Sequence, residues 1–179
     1  MASEEHTIGW LNWRSSRPVV PGRNATGTKT APSTSVDATI ALDLTAMNKF
    51  ISVDKTSLTA TAEAGIYGVD FEAALNAQGF KHGHHPQSFE FSTFGGWVAT
   101  RAGGHFATQY THIDDLLQSV RMVTPAGVVE TRRVPASGAG PAPDRLILGS
   151  EGALGVVTEG WARVRPRPRW RGAATAVFD

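Results

Sequence analysis

Between Gln87 and Gly103 the chain gathers the residue types with which proteins receive large anionic ligands. Ser88, Ser92, Thr93 and Thr100 bring hydroxyl donors, and Arg101 brings a forked cation suited to oxygen anions. Gly95 and Gly96 leave no side chain between backbone and ligand. Thr93 has the right chemistry to cap a helix starting near Phe94, which would aim the amides of Gly95 and Gly96 at a phosphate oxygen. A second glycine-bearing run, Glu151-Gly152-Ala153-Leu154-Gly155-Val156-Val157, combines close main-chain approach with an apolar wall for an aromatic ring.

Each feature has a plainer reading. The glycine pair also suits a crowded strand-to-helix turn. Arg101 also fits an ion pair with Glu90 or Asp115, and Glu151 also fits a solvated loop acid. His82, His84, His85, His105 and His112 do not have the spacing of a metal site, so none is assigned to a metal.

These runs must be positioned by the elements around them. Thr39–Asp43, Phe50–Val53 and Leu58–Glu63 carry strand patterns, with Gly65 as a stop. An amphipathic helix is expected around Val69–Leu75, with Asp70 and Glu72 in its first turns and Gly79 at its C-terminus. Leu116–Val123 and Val128–Arg133 read as a hairpin turning at Thr124-Pro125-Ala126-Gly127. Residues 135–143 read as a flexible Gly/Pro-rich stretch and Arg145–Leu148 as a short helical turn. Val156–Val164 reads as a strand, and Arg165-Pro166-Arg167-Pro168-Arg169-Trp170 is expected to end regular structure because proline removes backbone donors. The mixture lacks the strict alternation of a doubly wound sheet, so the fold class is α+β.

The 179 residues can bury one sizeable core, or two small subdomains sharing a ligand. With no cysteine, disulfides and thiolate metal sites are excluded. A formal charge of +1 gives no reason to expect nucleic acid. No apolar stretch approaches the roughly 20 residues of a membrane helix. The first residues carry acids where a secretory signal carries positive charge, and a cytoplasmic location is expected. The arginines from Arg163 to Arg171 fall at every other position, as on a solvated strand face, rather than as a nucleic-acid patch.

The run from Gly83-His84 through Glu90-Phe91-Ser92-Thr93, Gly95-Gly96-Trp97 and Thr100-Arg101-Ala102 resembles the flavin-binding region of the FAD-linked oxidases of the vanillyl-alcohol oxidase type, and within them the alkylglycerone-phosphate synthases. Ile113-Asp114-Asp115-Leu116, Val123-Thr124-Pro125-Ala126-Gly127 and Gly149 to Glu159 support the likeness in order. The resemblance implies FAD as cofactor, held by Gln87, Ser88, Phe89, Glu90, Phe91, Ser92, Thr93, Gly95, Gly96, Thr100, Arg101, Ala102 and Gly103. Glu151, Gly152, Ala153, Leu154, Gly155, Val156 and Val157 would lie along the adenosine side.

It also implies a division into an irregular, poorly matching segment 1–37, an FAD-binding domain 38–168 and an exit segment 169–179. Relatives continue from there into a cap domain carrying substrate-binding and acid/base residues. The family's Gly-rich first loop is altered here to the run from Val19 to Thr30, where Gly22 and Gly27 stand as isolated glycines, and Gln87 and His85 stand where the family has acids. The activity implied is ether-lipid type alkyl transfer through a flavin N5 adduct without net redox change, on a lipid-like substrate, with dimerisation through the larger domain. Two alternatives stay open: an FAD-linked dehydrogenase of 2-hydroxy acids such as glycolate or D-lactate, and a non-catalytic module that has lost FAD.

Overall fold

The computed structural model describes residues 25–26, 35–36, 42–105, 112–134, 138–170 and 172–177. Strands β1 (Ala25–Thr26) and β2 (Ser35–Val36) pair antiparallel. The main sheet is built from β3 (Phe50–Asp54), β4 (Thr59–Glu63), β6 (Leu117–Thr124), β7 (Gly127–Glu130) and β8 (Val156–Arg163). Its order is β3-β4-β8-β6-β7, and every neighbouring pair is antiparallel. The short β5 (Phe80–Lys81) pairs with β9 (Arg165–Pro166). The helices are α1 (Gly68–Ala77), α2 (Phe94–Thr100), α3 (Ile113–Leu116) and α4 (Pro143–Ile147).

Antiparallel strands alternate a buried and a wetter face, and the sequence of β4 follows that period. Ala60 and Ala62 are wholly buried beneath the helices, and their small size lets α2 lie close. Gly160 on β8 serves the same end, since a Cβ there would meet Phe94 at 2.4 Å. Phe71 and Leu75 of α1, with Phe94, Trp97 and Val98 of α2, fill the space above. Burial of each large side chain contributes on the order of 2 kcal/mol. On the other face Trp161 lies under Arg133, whose guanidinium carbon sits 4.0 Å from the ring centroid. Arg121 beside it bridges Glu130 and Glu159.

The helix at 68–77, the hairpin at Thr124–Gly127 and the strand from Val156 lie where the residue pattern puts them. In the hairpin, Thr124 takes the Ala126 amide and donates to the Gly127 carbonyl. Other boundaries differ. The returning strand stops at Glu130, because the Thr131 side chain turns inward to accept from the Val120 amide and bond Ser119. Glu72 does not serve its own helix start: its carboxylate accepts the amides of His82 and Gly83.

Proline does not end regular structure at Arg165–Pro166, which pairs at an edge with Phe80–Lys81, where a missing donor costs little. Leu42 and Asp43 are irregular, Asp43 accepting the Thr45 amide in a local turn, and the rest of the strand expected at Thr39–Asp43 lies outside the described residues. So does most of segment 1–37, including the altered first loop apart from Ala25 and Thr26.

Candidate functional site

Helix α2 begins where the sequence puts it. Thr93 is extended at the N-cap, and its Oγ1 accepts the Gly96 amide at 3.2 Å. Phe94 and Gly95 donate backwards to the carbonyls of Ile66 and Ala64, at 2.9 and 2.7 Å. The expectation that the amides of Gly95 and Gly96 face a phosphate is therefore corrected, since both are used in seating the helix. The glycine at 95 is needed for proximity instead: a Cβ would lie 2.5 Å from the Cβ of Ala64.

The far end of α2 meets the second glycine run. Arg101 closes the helix in the left-handed region, φ 50°. The Gly149 amide donates to the Val98 carbonyl at 3.1 Å and the Glu151 amide to the Ala99 carbonyl at 2.9 Å. Carbonyls that a free helix end would leave to water are thus satisfied by the second turn. Glu151 pays for this with φ 49°, a conformation side chains seldom adopt, while Gly149 and Gly152 take positive φ readily.

Between the two turns runs one crevice, with an empty volume of about 600 Å³ that includes space open to solvent. Thr93, Gly95, Gly96 and Ala99 line it from α2, and Ser150, Gly152, Gly155, Val156 and Val157 from the second run. Leu42, Leu44 and Ala64 complete the wall. Four glycines, two from each run, and a set of aliphatic side chains leave a slot for a flat ring, with hydroxyls from Thr93 and Ser150 as polar points. No charged residue is among those lining it.

The other expected site residues divide into groups. Gln87, Phe89, Glu90 and Phe91 line a separate, more open groove with His85, Pro86 and His105. Ser92 is engaged internally, donating to the Ser88 carbonyl and accepting from the Trp97 indole. Thr100 donates to the Gly96 carbonyl. Ala102 accepts from the Ile113 amide, and Gly103 bridges to His112. Glu151, Ala153 and Leu154 face outward. Arg101 pairs with neither Glu90 nor Asp115 in a salt bridge: its Nη2 donates to Asp114 Oδ2 at 2.9 Å. Burial raises the Asp114 pKa, but the hydrogen bond and charge of Arg101, with the charge of Arg145, outweigh it and hold the carboxyl below the usual range.

Leu42, Leu44, Ala64, Ala99 and Ser150 were not singled out by residue type. Aliphatic and small residues carry no chemical signature, and only their convergence makes them a wall. The histidines sit elsewhere. His82 and His84 are buried among Phe71, Phe94 and Trp97, with His82 stacked on Trp97 at 6.3 Å. Burial pushes His82 down to about 4, against a hydrogen bond to the Arg163 carbonyl that acts upward. Burial, with the neighbouring histidines, pushes His84 down to about 3. Among the described residues no group of three or more His, Cys, Asp or Glu is arranged to hold a metal ion. Among them, too, no helix is long and apolar enough to cross a membrane.

The model of the FAD binding domain matches residues 13–132. The chain belongs to that family. Its cofactor is FAD, in keeping with an aliphatic, glycine-edged crevice. It is 40% identical over 162 residues to alkyldihydroxyacetonephosphate synthase of Caenorhabditis elegans, covering 90% of this chain and 27% of that protein. The enzyme of the same name from Dictyostelium discoideum is 42% identical over 152 residues, covering 85% and 25%. A solved alkyldihydroxyacetonephosphate synthase structure superposes with a TM-score of 0.68 at 44% identity, over 73% of this chain and 23% of that one. The chain thus spans about a quarter of the length of these relatives. A glycolate oxidase subunit of Bacillus subtilis is similar at 30% identity over 135 residues.

Proposed function

We propose that this chain forms part of the FAD-holding half of an alkyldihydroxyacetonephosphate-synthase-like flavoenzyme, in which alkyl transfer builds an ether lipid without net oxidation. The observation that carries the reading is the single crevice bounded by the Thr93 turn and the Gly152 turn. When bound, the flavin supplies the ring-nitrogen chemistry that exchanges an acyl for an alkyl group.

The residues of this chain bind and orient. Thr93 accepts from Gly96 and keeps its O–H to donate to a phosphate oxygen, a charge-assisted bond contributing about 1.5–3 kcal/mol. Gly96, Gly152 and Gly155 allow backbone approach, and Leu42, Leu44, Val156 and Val157 exclude water from the ring faces. Gln87 to Phe91, in the neighbouring groove, would serve the reacting end of the cofactor. We take residues 38–168 as the cofactor unit and 169–179 as an exit segment, with the family match from residue 13 extending the likeness into segment 1–37.

The direct test is whether purified protein carries, or takes up, FAD, read by flavin absorbance and by fluorescence quenching on titration. A colourless preparation that fails to bind added FAD ends the proposal. The second reading, an FAD-linked dehydrogenase of 2-hydroxy acids, is favoured by the similarity to a glycolate oxidase subunit. Against it stand Arg101 and the Glu90-Phe91-Ser92-Thr93 run, which resemble the synthases. Rapid bleaching of the flavin of a full-length relative by glycolate or D-lactate would favour the dehydrogenase.

A further inference from the structure

We propose that Asp114 is a positioning residue that sets the gap of the FAD crevice, by holding Arg101, which closes α2, and Arg145, which precedes the second glycine turn, on a single carboxylate oxygen. The inference rests on the FAD reading above. Asp114 Oδ2 accepts from Arg101 Nη2 at 2.9 Å and from Arg145 Nη1 at 2.6 Å. Arg101 ends α2, the helix that carries Thr93, Gly95 and Gly96. Arg145 lies in α4, four residues before Gly149, the first residue of the second turn to dock on α2. The carboxylate therefore ties together the ends of the two segments whose separation is the width of the crevice, although it does not line that crevice itself.

The burial of the three groups favours positioning over plain stability. The Asp114 side chain is 9% exposed, whereas those of Arg101 and Arg145 are 58% and 49% exposed. Removing the carboxylate charge leaves both guanidinium groups able to turn to water, so neither is stranded as a buried charge. What goes is the shared anchor. The second turn then stays docked through the buried side chains of Ile147 and Leu148 and through two main-chain hydrogen bonds, one of them made by a residue in a strained backbone conformation.

Asp114→Asn, Arg145→Met and the double variant test this in the purified chain, with FAD titration and with amide hydrogen exchange of the FAD-free protein. Each single variant is expected to weaken FAD about tenfold, with the double variant no worse than Asp114→Asn, because the two residues act through one contact. In the free protein the Gly149 and Glu151 amides should exchange about tenfold faster, while the amides of Met122 and Val157 in the sheet stay as in wild type. Wild-type exchange at Gly149 and Glu151 in Arg145→Met overturns the proposal, and so does faster exchange with unchanged FAD affinity. If Asp114→Asn does not fold, Arg145→Met decides, since its side chain is half exposed. If wild type binds no FAD, the cofactor reading falls and with it the purpose of the clamp, while amide exchange still decides whether the clamp exists.

Discussion

The amide of Glu151 donates to the carbonyl of Ala99 at 2.9 Å, and through this bond the second glycine turn caps the helix begun by the first. Glu151 holds φ 49° to make it, in a region that costs a residue with a Cβ roughly 1–2 kcal/mol. Its carboxylate faces solvent. Glu151→Gly should therefore stabilise the fold, by about 0.5–1 kcal/mol after the extra entropy of glycine in the unfolded chain is set against the relief. Urea unfolding measures it, and FAD affinity should be kept, because the amide and not the acid does the work.

Gly95 and Gly96 are neighbours with separable roles. A Cβ at 95 would lie 2.5 Å from Ala64 Cβ and 2.9 Å from its carbonyl oxygen, against backbone that is itself bonded to β8. Gly95→Ala should destabilise the protein by about 1–3 kcal/mol. Gly96 borders the crevice, and Gly96→Val should bar FAD by filling that space. Comparing flavin retention with thermal unfolding for the pair separates them, and full flavin retention in Gly96→Val would contradict the assigned site.

Thr93 is both cap and site wall. Thr93→Ala should cost about 1 kcal/mol of stability through the lost bond to the Gly96 amide. A larger loss is expected in FAD affinity, because the hydroxyl is also the proposed phosphate donor. Thr93→Ser, which keeps the oxygen, should restore most of both in denaturation and titration experiments.

The buried imidazoles make the fold acid-sensitive. His82 and His84 ionise at about 4 and about 3 in the folded chain, against an ordinary value near 6.5, so the unfolded chain binds protons first as pH falls. Their neutral forms leave stability whole above about pH 6.5, and it declines from there down through pH 4, with a slope of up to about 1.4 kcal/mol per pH unit for each histidine. Urea midpoints between pH 7 and pH 4 measure the slope. His82→Phe, if it packs, should flatten it, and an unchanged slope would show that other groups govern acid unfolding.

Residue type and spacing were enough to place Thr93 at a helix start and Gly127 in a hairpin, and to single out the two glycine runs that border one crevice, because caps, turns and close backbone approach are local demands that few residues meet. Pairing across distance was not legible. Nothing local marks Asp114 over Asp115 as the partner of Arg101, or sets Arg165–Pro166 beside Phe80–Lys81. Nor does the composition of Gly95-Gly96 say that their amides point inward: that follows from Ala64 and Thr93 standing within hydrogen-bond reach. Residue types and their order set which hydroxyls and glycines are on offer to a ligand. Which of them face the crevice was settled by the folded arrangement, because a donor bonded within the fold is lost to a ligand, and that depends on residues far apart in the chain.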